Sequence, residues 1–589
     1  MKKVILILST IAAAACIFII TKRTYSTSEQ QDARFPDKNF YKCIVDTIGN
    51  DATNNDGTIK DEKLLILTNL ECKEKEIESV KGIELLTNLK LLNISYNNIS
   101  EIDVTKNTKL EELDVGANKL SSIDLNNIQN LVNLSVGTNN ISEIDVSKNT
   151  KLEKLYVHKN KLTKIDVSKN QNLTKLNISY NSISEIDVTK NTKLEELDVG
   201  ANKLSSIDLN NIQNLVALSV GTNNISELDI TKNTKLEYLY VHENKLTKID
   251  VSKNPELKIF YTWENELTEL DVTKNTKLEE LEAGTNKLTS IDVTKNTKLE
   301  HLDVSENKLT SIDVSKNLKL TYINIHTNSI SELDVSKNQN LTKLNISYNS
   351  ISEIDVTKNT KLEELYVYKN ELTELDVTKN TKLQKLSAGT NKLTSIDVSK
   401  NPELTYINIY TNSISELDVT KNTKLEELYV GGNKLEKIDI SKNVNLKKFK
   451  GEKNNIRNVE LISINNLEET NMYEYINFNT ELENYGKGKN KKVYNRNDEL
   501  ISSGKLGTGY KVKTDKVEFY IVVPGDLTGD GKLELPDIAK AYQYLKNKIT
   551  MEKTDIEAAN VSTSNQSITV NDIAKMYQYL KGKISSLEW

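Results

Sequence analysis

A leucine recurs every 21 residues through most of this chain, and that period decides what it can fold into. Leu89 opens the series and Leu446 begins its eighteenth unit, with no insertion or deletion between them. The unit at Leu110 reads LEELDVGANKLSSIDLNNIQN. With the leucine as position 1, apolar residues recur at positions 1, 4, 6, 11, 14 and 16. Asparagine holds position 9 in every unit, from Asn97 to Asn454. A unit this short cannot bury its own apolar face, so each depends on its neighbours, and a stack of coils satisfies all of them. LxxLxV supplies one short strand per coil. The asparagine turns the chain and, once buried, must hydrogen-bond neighbouring backbone. Strands about 4.8 Å apart extend the sheet to roughly 85 Å over eighteen coils. That surface suits a large ligand rather than a small metabolite.

The pattern resembles the leucine-rich repeats of bacterial cell-surface proteins of the internalin kind, over 378 of 589 residues. The resemblance implies an α/β-type solenoid with a parallel, concave β-sheet whose inner face holds a protein or glycan ligand. A longer period lies on top: the 84 residues from Leu89 and those from Leu173 are nearly the same. Residues 35–88 read as a cap. Leu67, Leu70, Cys72, Ile77 and Val80 fall on positions 1, 4, 6, 11 and 14, with Lys75 where the first asparagine would be. Upstream, FPDKNFYKCIVDTI predicts a short amphipathic helix similar to the N-terminal caps of these proteins. Cys43 and Cys72 either bridge helix to first coil, as an exported pair would, or stay as two buried thiols. The repeats are taken to span 89–462.

The two ends carry different signals. MKK, the uncharged stretch Val4 to Ile20, and Lys22-Arg23 give residues 1–25 the form of a signal peptide or short membrane anchor. Ala13-Ala14-Ala15-Cys16 is similar to a lipoprotein box, although Ile17 to Ile20 follow the cysteine where lipoproteins are polar. Cleavage, retention and lipidation all place the rest of the chain outside the membrane. Residues 463–523 alternate short apolar runs with Gly/Asn turns and predict a small β module. Residues 524–589 contain DLTGDGKLELPD followed by IAKAYQYLKNKI, and DIAKMYQYLKGKI repeats the helix 35 residues on. This duplicated loop and helix resembles a type I dockerin, a small α-helical EF-hand domain that docks to cohesin-like proteins. Hard Ca²⁺ takes oxygen ligands at alternating loop positions around a glycine turn. Asp526, Thr528 and Asp530 occupy loop positions 1, 3 and 5, Lys532 offers its carbonyl, and Asp537 closes the loop. Thr528 replaces a usual Asn or Asp. The second loop, NVSTSNQSITVND, lacks the acidic triplet.

Alternate strand residues face opposite sides of a sheet, so positions 3, 5 and 7 should point outward. They hold ten tyrosines and one tryptophan: Tyr156, Tyr238, Tyr240, Tyr261, Trp263, Tyr322, Tyr366, Tyr368, Tyr406, Tyr410 and Tyr429. Exposed aromatics with a polar tip make good binding anchors, and the densest group is Tyr238, Tyr240, Tyr261 and Trp263. All four histidines share these columns. His158, His242 and His326 stand four coils apart, too far to share one zinc. Aspartate fills position 15 in seventeen successive units, Asp103 to Asp439. Either it accepts hydrogen bonds from the next turn, with lysine at position 18 balancing its charge, or the column binds calcium. The visible lysine stripe favours the first account.

Charge is nearly balanced, 78 basic against 84 acidic residues, which argues against a nucleic-acid partner. No nucleophile elbow, P-loop, HExxH or dinucleotide fingerprint is present. These signs predict a non-catalytic, extracellular bacterial binding or adhesion protein, secreted or held at the cell surface. Its calcium-loaded end would attach to a partner, and membrane contact would be limited to the N-terminal segment. The alternative is a non-catalytic subunit of a cohesin–dockerin, polysaccharide-degrading complex.

Overall fold

The computed structural model describes residues 31–49 and 51–451, residues 454, 540 and 576, and strands at 458–460, 469–471, 473–475, 492–494, 511–513 and 518–522. The N-terminal apolar stretch and the loop residues Asp526, Thr528, Asp530, Lys532 and Asp537 lie outside the described residues. No described helix is long and apolar enough to cross a membrane. The chain divides into two compact units, 1–257 and 258–589.

The first unit opens with helix α1, Lys38–Ile48. Asp37 caps it by accepting the N–H groups of Asn39 and Phe40 through Oδ1, at 2.9 and 3.0 Å. Its Oδ2 accepts the N–H groups of Glu78 and Ser79 at 2.7 and 3.0 Å, which ties the cap helix to the first coil. Phe40, Cys43 and Ile44 form the buried face of α1. A second helix, α2, spans Asp61–Ile66. Leu67, Leu70, Cys72, Ile77 and Val80 are buried as their repeat positions require, and strand Asn69–Glu71 pairs in parallel with Leu91–Asn93.

Cys43 and Cys72 form a disulfide with Cα atoms 5.9 Å apart, which decides between bridge and buried thiols. The bond joins residues 29 apart. Closing a loop of that size removes unfolded-state entropy worth about 3–4 kcal/mol. Cys43→Ser should therefore loosen the cap by roughly that amount. Hydrogen exchange should show α1 opening earlier, with the coils beyond Leu110 unchanged.

From there each coil repeats one plan. Positions 3 to 5 form the strand, and register advances by one repeat: Leu92 faces Leu113, and Leu113 faces Leu134. The position 4 residues Leu92, Leu113 and Leu134 are buried to 2% exposure or less, while their neighbours at 3 and 5 point out. Position 9 links coil to coil. Asn139 Oδ1 accepts the N–H of Leu120 at 2.9 Å, and its Nδ2 donates to Val115 O and Val136 O, both at 3.0 Å. A second asparagine column stands at position 19, where buried Asn170 donates to Val146 O at 3.0 Å and Asn149 O at 2.9 Å. Most units carry this asparagine, from Asn107 to Asn443, although Ile128 and Ile212 replace it in two, and its role is visible only in the stacked coils.

The second unit continues the plan from strand Ile259–Tyr261 to Lys448–Lys450. In both units the chain winds as a parallel-strand solenoid. Strand Glu469–Asn471 adds a further parallel partner to Lys448–Lys450, one coil past the point where the sequence pattern fades. Tyr473–Tyr475 then joins a separate sheet, parallel to Tyr520–Val522. In that sheet 511–513 pairs antiparallel with both 492–494 and 518–520.

The position 15 aspartates are turn caps. Asp271 Oδ1 accepts the N–H of Thr273 at 2.8 Å and its hydroxyl at 2.6 Å, and the same pair of bonds recurs at Asp103, Asp187, Asp229 and Asp292.

Candidate ligand-binding face

The outward face of the sheet follows from strand alternation: in most coils position 4 is buried and positions 3 and 5 are half-exposed. Position 7 lies past the strand end and is more recessed. Ser95 and Ser179 are buried there, each donating its hydroxyl to the position 5 asparagine at 2.7 Å. His158 and His242, also at position 7, lie over Gly137 and Gly221 of the preceding coil. A Cβ on either glycine would stand 2.3 or 2.5 Å from the imidazole. Burial holds the His158 imidazole below its ordinary pKa. His301 stacks on Tyr322, centroids 4.1 Å apart and planes within 13°. His326 Nδ1 lies 2.9 Å from the Thr327 hydroxyl.

The sequence-predicted aromatics lie in both units. Tyr156, Tyr238 and Tyr240 lie on strands of the first unit. Tyr261 and Trp263 lie in the second, so the group that looks densest in sequence falls on both sides of residue 257. Tyr261 donates its phenol to Glu280 at 2.6 Å.

A network of aromatic and charged side chains lies in coils 301–450. Lys343 carries its ammonium over two rings, 5.3 Å from the centroid of Tyr322 and 5.8 Å from that of Tyr366. Glu364 pairs with Lys343 at 3.4 Å and Lys385 at 2.8 Å, and it accepts the Tyr366 phenol at 3.0 Å. Burial alone would raise the Glu364 pKa, but the hydrogen bonds from Lys385 and Tyr366 hold it below the usual carboxylate range. Burial and the Glu364 charge push the Tyr366 phenol up. Tyr322 is pushed up to about 12 by burial, then by Asp303 and Glu282. Both phenols are therefore proton donors at neutral pH. Tyr429 repeats the motif three coils on, donating to Glu427 at 2.7 Å while Glu427 pairs with Lys448 at 3.0 Å. Tyr406 lies 5.6 Å from Tyr429. Tyr368 meets Tyr348 at 5.4 Å and, with Tyr410 O, closes over Gly389.

The Leucine Rich repeat family model matches residues 169–185, 295–316 and 337–353. Internalin J of Listeria monocytogenes serotype 4b (strain F2365) is 40% identical over 74 residues, which is 13% of this chain and 8% of that protein's length. Among solved structures, YopM from Yersinia enterocolitica WA-314 aligns with a TM-score of 0.58 at 23% identity, covering 78% of this chain and 96% of that one. The fold is that of leucine-rich repeats. The plant peptide hormone receptor RGFR1, solved in complex with RGF2, aligns with a TM-score of 0.55 at 23% identity, covering 70% and 76% of the two chains.

The leucine-rich repeat geometry also exposes aromatics that the position 3, 5 and 7 reading misses. Position 8 takes a left-handed backbone in coil after coil, with φ of 57°, 53° and 55° at Tyr96, Tyr180 and Tyr348. These rings project at the strand ends, 58%, 60% and 46% exposed. Each is covered by a lysine: Lys73 at 4.9 Å, Lys159 at 5.5 Å and Lys369 at 4.9 Å. The signal was available, since position 8 directly precedes the asparagine. Its exposure depends on turn geometry that strand alternation does not describe.

Proposed function

We propose that this chain is a non-catalytic extracellular binding protein whose leucine-rich repeat sheet holds a protein ligand, with the anchor at Tyr322, Lys343, Tyr348, Tyr366 and Tyr368. The observation that carries this reading is the pairing within that patch. Lysine ammonium groups and His301 cover ring faces on which a sugar would stack, so ring edges, phenols and neutralised charges are left to meet a partner. Tyrosine-rich, charge-paired surfaces of this kind supply protein hot spots. Export is supported by the Cys43–Cys72 disulfide, which belongs to an oxidising compartment, by the apolar stretch between MKK and Lys22-Arg23, and by the likeness to Internalin J. The proposal extends to the C-terminal end: calcium held by Asp526, Thr528, Asp530, the Lys532 carbonyl and Asp537, and attachment to a cohesin-like protein.

The test is an array of surface proteins and glycans probed with the full chain and with Tyr366→Ala/Tyr368→Ala. Hot-spot rings cost about 2 kcal/mol or more each on truncation, so protein binding should fall at least about 30-fold. Both rings lie outside the core, so the melting temperature should stay within a few degrees. Binding confined to glycans, or unchanged by the substitutions, would refute the assignment.

A further inference from the structure

The turn half of each coil carries two parallel columns of charge. The aspartate column has its Oδ1 atoms committed to the turns. The lysine column at position 18 has no such commitment. In the second unit it runs without a gap through Lys274, Lys295, Lys316, Lys337, Lys358, Lys379, Lys400, Lys421 and Lys442. All nine are exposed; among the described residues none hydrogen-bonds or pairs within 4 Å, and each of Lys274, Lys295, Lys316, Lys358, Lys379 and Lys400 acts only as a nearby charge on the aspartate three residues back.

The columns line separate grooves. One groove is walled by Lys274, Lys295 and Lys316 with Thr276 and Thr297. Another is walled by Lys358, Lys379 and Lys400 with Thr360 and Thr381. No carboxylate lines either one. Glu332, Asp334, Glu353, Asp355, Glu374 and Asp376 line a different groove.

We propose that this lysine lane is a binding track for a linear phosphate polymer laid across successive coils. Ammonium and hydroxyl groups supply the donors, and phosphate oxygens supply only acceptors, which they take readily from lysine as a point charge. One lysine returns per coil, so the lane repeats its charge at the pitch of the coils. A single ion would engage one or two of these lysines, whereas a polymer with a repeating charge engages the lane. The competing role, in which the lysines only offset the aspartate column, requires no ligand.

The experiment uses the full chain and long-chain inorganic polyphosphate. The variants are Lys274→Gln/Lys295→Gln/Lys316→Gln and Lys358→Gln/Lys379→Gln/Lys400→Gln, which keep the side-chain stems. Counterion release gives a log–log salt slope of about 0.7 per phosphate contact on a single strand. Six contacts should weaken binding roughly 300-fold between about 50 and 200 mM salt, and each triple variant should lower the slope by about 2. Tyr366→Ala/Tyr368→Ala should bind polyphosphate as the unsubstituted protein does. The proposal is overturned if polyphosphate does not bind, if both triple variants keep the full slope, or if the tyrosine variant loses binding. Equal affinity for polyglutamate of matched length would overturn the phosphate assignment, because the lane would then read charge alone.

Discussion

Asn139→Ala should cost about 3 kcal/mol of stability, well above a typical substitution. The side chain is buried at 9% exposure and joins two coils. Removing it strands the N–H of Leu120 and takes a donor from Val115 O, both in the preceding coil, and another from Val136 O in its own. The stranded Leu120 N–H costs roughly 1–3 kcal/mol; each carbonyl loses one donor but keeps another, Asn118 Nδ2 at Val115 O and Asn160 Nδ2 at Val136 O, and the methyl of alanine replaces none of the lost bonds. A solenoid transmits stability only between neighbours, so the loss should appear as weakened coupling at that interface. Asn139→Asp separates the contributions: it keeps an acceptor for Leu120 but loses both donors and adds a buried charge. Denaturant unfolding of the full chain should rank the parent protein above both variants. A loss below about 1 kcal/mol for Asn139→Ala would mean that water replaces the amide and the column is not a structural tie.

The sequence could disclose the coil because the coil is a burial problem with one period. Leu92, Leu113 and Leu134 are buried because each repeats the same demand, and the asparagine column follows from the need to satisfy backbone inside a stack. The cap was legible for the same reason, since Leu67, Leu70 and Cys72 keep the spacing although Lys75 breaks the asparagine series.

Contacts between coils were less legible. His158 lying over Gly137, or Tyr368 meeting Tyr348, joins residues about one coil apart whose side-chain directions the consensus does not state. The sheet's extra strand left a trace in Leu467, 21 residues after Leu446. At the following position 9 stands Tyr475, which belongs to a strand paired with Tyr520–Val522. The solenoid pattern stops where the chain enters a different sheet, and a period search sees only the stop.

Acid should destabilise this protein steeply, through the aspartates of position 15. Fourteen of these carboxyls are held below their ordinary pKa. At Asp271 the largest cause is the Thr273 hydroxyl, then the Thr273 N–H, with the Lys274 charge adding to both. In the unfolded chain the same groups return to about 3.9. Above about pH 5 they are ionised in both states, and the full contribution of the turn bonds is present. As pH falls through the depressed folded values, the unfolded chain binds protons first, so unfolding becomes more favourable with each unit of acid. Each bond is solvent-screened and individually small, but the column repeats it along the chain. The melting temperature should therefore be flat from about pH 7 to pH 5 and fall sharply below about pH 4. Asp271→Asn/Asp292→Asn/Asp313→Asn keeps each Oδ1 acceptor and removes the proton-binding step. At pH 7 it should melt slightly below the parent protein, because the extra contribution of the ionised form is gone at three turns, and on acidification it should lose roughly a fifth less stability, so that the two converge below about pH 4. An acid profile identical to the parent's would assign the loss to other carboxylates and leave the aspartate column as a turn former only.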